Sequence, residues 1–247
     1  MNSTADDIFK NVINEGRSFL MEDEAKDVVR IYGIKTPEYR LARDIDAAIR
    51  VAEEIGYPVA MKIVSPDIYH KTDVGGVRLN IRNRSEVVEA FKEIIDNVKN
   101  AIPNARIKGI LVEKMAREGY EIIIGVLNDP QFGHVIMFGA GGIYTELYRD
   151  VAFRLSPLTY EDALDMVMET KAYKVLKGFR GPELDLDEVL STILKVDKLI
   201  QDHPEIDEMD INPVRVYEKG SGLMALDVKI RIKPPQKGRV RTSGSSH

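Results

Sequence analysis

Hydrophobic and polar positions recur with two different periods along this chain. In "DIDAAIRVAEEIGYP", Ile45, Ala48, Ile49, Ala52 and Ile55 fall on one helical stripe, which Gly56 and Pro58 close. "VAMKIV" follows as a short apolar strand interrupted by one lysine. After a polar loop, "VRLNIR" alternates, with Val77, Leu79 and Ile81 predicted to share one face. "SEVVEAFKEIIDNVKN" returns to the helical period, and Ser85 is its expected N-cap.

The second half reads mostly as strands. "RIKGILVEKM" and "GYEIIIGVLN" come first, and the turn "NDPQFG" leads into "HVIMFGAGG", a strand running into a glycine loop. "VAFRLSP" is a further short strand. Helices are expected over residues 159–171 and 186–201, then two strands, "DINPVRVY" and "LMALDVKIRI", joined by "EKGSG". From "KPPQKG" onward the chain is a polar tail. This order departs from regular strand–helix alternation and predicts an α+β fold with mostly antiparallel sheets. No repeat of fixed period occurs.

The composition narrows the function classes. The 247 residues, 44% hydrophobic and 30% charged, suffice for one large domain or two lobes. No run of about 18 apolar residues appears, so no membrane span is expected. The start, "MNSTADDIFKN", is polar and acidic, unlike a signal peptide, and a cytoplasmic location is expected. A net charge of −5 gives no long-range attraction to nucleic acid. Cysteine is absent, which removes disulfides, thiolate catalysis and sulfur-based zinc sites. Of the four histidines, His247 lies in "TSGSSH", which reads as a tag or linker scar and is set aside. His134 and His203 read as structural. There is no P-loop, and "GAGGIY" is not a dinucleotide fingerprint, so any nucleotide must be held by other means.

Several residues stand in chemically suggestive places. Lys62, inside an apolar strand, either meets an anion such as phosphate or sits on a solvent-facing edge. Asp210 and Asn212 share one strand face and Asp227 comes from the other arm of the hairpin. Their oxygens are what Mg²⁺ accepts, or they merely flank turns. Glu113 and Glu121, on successive strands, either bind a purine amine or ribose hydroxyls or lie on the surface. In "SPDIYHKTDVGGV", the His70 imidazole is either a phosphoryl acceptor or an ordinary loop side chain. Asp73 is placed to orient the ring, and Gly75-Gly76 to let the segment swing or bring backbone N–H groups to a phosphate.

Taken in order, "EAKDVVRIYGIKTPEY", "GYPVAMKIVSPDIYHKTDVGGVRL", "GILVEKM", "DPQFGHVIMFGAGGIYTE", "VAFRLSPL", "DINPVRVY" and "LMALDVKI" resemble an ATP-grasp domain. More narrowly, residues 20–232 resemble the β subunit of ADP-forming acetyl-CoA (acyl-CoA) synthetase, a relative of the succinyl-CoA synthetase β chain. The resemblance implies two lobes, 18–114 and 115–232, with residues 1–17 packing on the second and 233–247 as tail. It implies ADP or ATP bound between the lobes and Mg²⁺ on Asn212 and Asp227. Lys62 would contact nucleotide phosphate, and Gly75 and Gly76 would belong to a flexible loop covering it. Glu113 and Met115 would line the hinge that receives adenine, and Glu121 would meet ribose. His70 would be a phosphohistidine on a mobile loop, working with a second one on a partner α subunit.

The partner is expected to carry the CoA-binding and acyl-transfer domains, in an α2β2 hetero-oligomer. The roles of Asp210, Glu146 and His134 stay open. Two other readings compete: an ATP-grasp carboxylate–amine ligase, which would not need His70, and a nucleotide-sensing module without turnover.

Overall fold

The computed structural model describes residues 4–141 and 150–233. Glu146, part of the glycine loop and the tail beyond residue 233 lie outside the described residues.

The fold is α+β, as expected, with two sheets whose strand pairings are all antiparallel. The chain opens with α1 (Ala5–Asn14), started by a reciprocal cap in which Thr4 Oγ1 accepts from the Asp7 amide and Asp7 accepts from the Thr4 amide. Next is α2 (Glu22–Ile31), and Arg17 forks onto Glu24 in its first turn at 2.7 and 2.8 Å.

The smaller sheet has the order β1 (Tyr39–Ala42), β4 (Gly109–Lys114), β2 (Val59–Val64), β3 (Val77–Ile81). Two helices, α3 (Ile45–Ile55) and α4 (Arg84–Ala101), cover one face. Val59, Met61 and Ile63 pack toward these helices with Ile110 and Val112, so Lys62, Leu111 and Glu113 project from the opposite face. That second face is covered too, and all six residues of β2 are buried. This explains why "VAMKIV" reads as a continuous apolar run rather than an alternation.

Two local expectations fail here. The N-cap of α4 is Asn83, whose side chain accepts from the Glu86 amide at 3.0 Å, not Ser85. Leu79 does not share a buried face with Ile81: it is 55% exposed. Asn80 adopts φ +59°, and the β2–β3 register shifts between Val59 and Met61, so the alternation is broken by a bulge.

The larger sheet runs β10 (Val228–Ile232), β8 (Ile206–Val216), β5 (Tyr120–Asp129), β6 (Gly133–Ala140), β7 (Val151–Leu155), with β9 (Leu223–Ala225) also on β8. The expected helix over 159–171 is α5 (Tyr160–Met168), a further short helix, α6 (Ala172–Leu176), begins just beyond that range, and α7 (Leu186–Asp202) follows. The larger apolar core joins β5, β6 and β8 to α5 and α7. It also takes in Ile8, Phe9 and Val12 of α1 and Leu20, Ala25, Val28, Val29 and Ile34 around α2.

"LMALDVKIRI" is not one strand. Pro213 has no N–H to give the ladder, and opposite it the chain breaks at Leu226-Asp227. The break is bridged by Asn212 N–H to the Asp227 carbonyl, 3.1 Å, and Leu226 N–H to the Pro213 carbonyl, 3.0 Å. These contacts put Asn212 and Asp227 side by side, beside the smaller sheet.

Candidate functional site

Lys62 is not a solvent-facing lysine. It is 7% exposed, with Nζ 2.8 Å from Glu22 Oε1 and 2.8 Å from Glu113 Oε1, and it donates to the Leu226 carbonyl at 2.9 Å. Lys26, fully buried, pairs with Glu22 at 2.9 Å and hydrogen-bonds Glu113. Lys71 lies 2.9 Å from Glu22 Oε2 and 3.2 Å from Asp227 Oδ1. Three ammoniums thus face three carboxylates, and the cluster is formally neutral.

Burial alone would raise the Glu22 carboxyl, but the fields of Lys26, Lys62 and Lys71 hold it well below the ordinary range. Burial likewise works against the charge on Lys62. Glu22, Glu113 and Asp227 outweigh it and hold Lys62 above its ordinary value. Such a cluster persists only because every charge is compensated.

The His70 loop leaves β2 beside this cluster. Its start is held by Asp67, which accepts from Arg106 Nη2 at 2.6 Å and from the Arg106 amide at 2.7 Å. The exposed His70 ring stands edge-on to Tyr69, centroids 5.0 Å apart, and Tyr69 stands edge-on to Phe19 at 5.3 Å. The Tyr69 hydroxyl is buried without a hydrogen-bond partner. Burial, with the negative fields of Glu208, Asp210 and Asp227, pushes it up to about 12. Burial also raises the Asp210 carboxyl, and Asp227 and Glu208 add to the shift while Lys229 and His70 oppose it. His70 therefore lies within electrostatic reach of the acidic face of β8. Among the described residues, no hydrogen bond joins Asp73 to His70.

Gly75 and Gly76 serve close packing. Their N–H groups donate back into the loop, to the Thr72 carbonyl at 3.1 Å and the Lys71 carbonyl at 2.8 Å. Gly75 has φ +64°, and a Cβ there would stand 2.8 Å from Asn97 Nδ2. A Cβ on Gly76 would stand 2.4 Å from Ile63 Cγ2. Neither amide is presented to a ligand in this arrangement.

The segment joining the sheets carries Met115, whose N–H donates to the Pro58 carbonyl at 3.2 Å. Glu121 accepts from Arg215 Nε at 3.0 Å, and Arg215 Nη1 donates to the Ala116 and Arg117 carbonyls at 3.2 and 3.3 Å. The geometry thus brings Lys62, Glu113 and Asp227 together with Asn212 alongside, while Glu121 is tied to the linker through Arg215. Glu113 spends its carboxylate on lysines. His134 anchors β6 to the start of β8: its Nε2–H donates to the Ile206 carbonyl at 2.7 Å. His203 stacks on Phe9 at 4.4 Å.

Glu22, Lys26, Lys71 and Arg215 escaped the sequence reading. One signal was available: Glu22, Lys26 and Val29 share a helical face with i,i+4 and i,i+7 spacing, and that face is buried.

Among the described residues, no group of three or more His, Cys, Asp or Glu side chains is arranged to hold a metal. Asn212 and Asp227 offer one amide oxygen and one carboxylate. That hard-oxygen set suits Mg²⁺, which keeps waters and takes phosphate oxygens for the rest of its shell.

The ATP-grasp domain family model matches residues 11–232. The chain is 47% identical over 228 residues to acetate–CoA ligase [ADP-forming] II subunit beta of Pyrococcus furiosus, covering 92% of this chain and 97% of that one. It is also 47% identical to acetate–CoA ligase [ADP-forming] I of Archaeoglobus fulgidus, but there the match spans only 31% of the relative. The chain thus corresponds to nearly the whole of a separate subunit and to about a third of a longer single chain. Among solved structures, it superposes on acetyl-coenzyme A synthetase 1 of Ca. Korarchaeum cryptofilum with coenzyme A and Mg-AMPPCP. That structure is described as having its phosphohistidine segment pointing towards the nucleotide binding site. The TM-score is 0.80 at 41% identity, covering 93% of this chain and all of that one. In a second complex, with a phosphorylated phosphohistidine segment, the TM-score is 0.85. On the match over most of its length, the chain belongs to the ATP-grasp domain family.

Proposed function

We propose that the chain is the nucleotide-binding β subunit of an ADP-forming acyl-CoA synthetase, acting in the cytoplasm. The reaction is acyl-CoA + ADP + phosphate ⇌ carboxylic acid + ATP + CoA. Nucleotide lies between lobes 18–114 and 115–232, with α2 packed across their boundary and the N-terminal residues on the second lobe. The α partner, in an α2β2 assembly, supplies the CoA-binding and acyl-transfer domains. In support, this chain matches separate β subunits nearly end to end but only about a third of a longer single-chain relative.

The carrying observation is the position of His70. It projects from a loop whose Lys71 reaches Asp227 at 3.2 Å, and its ring lies 5.0 Å from that of Tyr69, which in turn lies 5.9 Å from Lys229, the strand partner of Asp210. At neutral pH an imidazole is largely unprotonated and offers a nitrogen lone pair to phosphorus. In our reading the partner's phosphorylated histidine gives up its N–P bond as a ring nitrogen of His70 takes the phosphoryl group. A terminal oxygen of ADP then attacks, the N–P bond to His70 breaks, and the imidazole is regenerated. Lys62 supports the transferring charge, Glu113 and Met115 line the adenine side, Glu121 lies toward ribose, and Gly75-Gly76 close the loop. Mg²⁺, held by Asn212 and Asp227, would neutralise charge on the phosphates.

Incubating the chain with Mg-ATP tests this directly. We expect an acid-labile phosphoryl group on His70 by mass spectrometry, absent in His70→Ala. ATP binding without any His70 phosphate, even with the α partner present, contradicts it.

A further inference from the structure

Lys71 immediately follows His70, is 8% exposed, and bridges two separate segments: Glu22 on α2 at 2.9 Å and Asp227 before β10 at 3.2 Å. Of the three clustered lysines, Lys26 projects from a helix and Lys62 from a strand, whereas Lys71 sits in a turn. Glu22 Oε2 accepts no well-angled hydrogen bond despite the nearby Lys71, and the neighbouring Tyr69 hydroxyl has no partner. At Glu22 the docked loop is therefore held by charge contact without a well-angled hydrogen bond, while Lys71 Nζ donates to Asp227 Oδ1 at 3.2 Å.

The charge balance of the cluster divides cleanly. If Lys71 and Asp227 are taken out, Lys26 and Lys62 still face Glu22 and Glu113, and the buried remainder stays neutral. A divalent cation on Asp227 must meet Lys71: the ammoniums around Glu22 are balanced by the other carboxylates of the cluster, whereas a dication added beside Lys71 on Asp227 leaves uncompensated positive charge and strong repulsion. Lys62 also directs its field at Asp227 but cannot leave its strand.

We propose that Lys71 is the latch of the His70 loop, an internal cation that occupies Asp227 until a divalent cation displaces it and thereby frees the loop. The inference rests on the proposed assignment of Asp227 to Mg²⁺ and deepens it by naming what the metal must displace. Lys71 is a positioning residue: it acts through His70. Two staples bracket the released segment, Asp67 on Arg106 upstream and Asn97 Nδ2 on the Gly75 carbonyl, 3.2 Å, downstream. With the Asp67 staple closed, three residues at roughly 3.3–3.6 Å each let His70 travel about 10 Å from it.

Hydrogen exchange and calorimetry on the whole chain test the latch, with ADP present and Mg²⁺ added or omitted. In wild type without Mg²⁺, the loop amides, including Gly75 and Gly76, should be protected, and Mg²⁺ should speed their exchange roughly tenfold or more. Lys71→Met should exchange fast in both conditions and bind Mg²⁺ about tenfold tighter, because no latch competes. Lys71→Arg should restore the metal-dependent response. Wild-type protection in metal-free Lys71→Met overturns the latch. So does Mg²⁺ binding to wild type with loop exchange unchanged, which needs no variant to fold. Failure of both wild type and Lys71→Met to bind Mg²⁺ overturns the assignment of Asp227 itself, and the displacement with it.

Discussion

The Lys62 ammonium and the Glu113 carboxylate meet at 2.8 Å across neighbouring antiparallel strands. The register pairs Lys62 with Leu111 and Ala60 with Glu113, so the two charges are diagonal neighbours on one face. Glu22 reaches the same point from α2, and the three segments are joined by charge where a core would ordinarily be apolar.

Glu22 is the centre of that junction, with Lys26, Lys62 and Lys71 all within 2.9 Å. Glu22→Gln leaves an excess of buried positive charge and should cost about 3–5 kcal/mol of stability. Urea unfolding followed by circular dichroism would read this as a lower midpoint. Arg40→Ala, which opens the exposed Arg40–Glu54 pair, should leave the midpoint essentially unchanged.

The same residue gives an acid dependence. Its folded value lies well below the ordinary 4.5, so the stability it supplies is fully present above that pH. It is lost as pH falls from there through the folded value. Unfolding midpoints measured down an acid series should therefore drop below about pH 4.5, and the drop should be shallower in Glu22→Gln. Parallel acid profiles would contradict the depressed carboxyl.

Gly76→Ala places a methyl 2.4 Å from Ile63 Cγ2 and 2.9 Å from the Lys71 carbonyl, so strand or loop must move. A loss of about 1–3 kcal/mol is expected from such overpacking. Gly181→Ala, where a Cβ meets nothing within 4 Å, is the control and should leave the unfolding midpoint nearly unchanged.

Asp227→Asn removes the carboxylate of the proposed Mg²⁺ pair. Mg²⁺-dependent ADP binding, followed by calorimetry, should weaken by roughly 10–100-fold or more. Metal-free nucleotide binding should change far less. Equal weakening with and without Mg²⁺ would point to a collapsed site instead.

Legibility followed burial. The Ile45–Ile55 helix was readable because its apolar positions repeat with one period against one core, and the Val59–Val64 strand because burial on both faces makes it a continuous apolar run. The Leu79 expectation failed where Asn80 adopts positive φ and the ladder slips, an event that leaves no mark on hydrophobicity. The split of the last strand depends on Pro213, which lies across the sheet from the break. Within the site, Asn212 and Asp227 were readable together as two arms of one hairpin. The burial of Lys62 could not be read, since its partners come from segments 40 residues before and about 50 after it in the chain. Taken as a pair, Glu22 and Lys26 look like a solvated i,i+4 contact, and their sharing a helical face with Val29 is the one mark in the sequence of their burial.

The most direct test of the account is a chase. The chain is labelled from γ-labelled Mg-ATP, freed of nucleotide, and given unlabelled Mg-ADP in a single turnover. The account predicts that label leaves His70 and appears in ATP, with His70→Asn neither labelled nor able to return label. Label that stays on His70 in the presence of Mg-ADP, or label that forms and returns equally in His70→Asn, would contradict it.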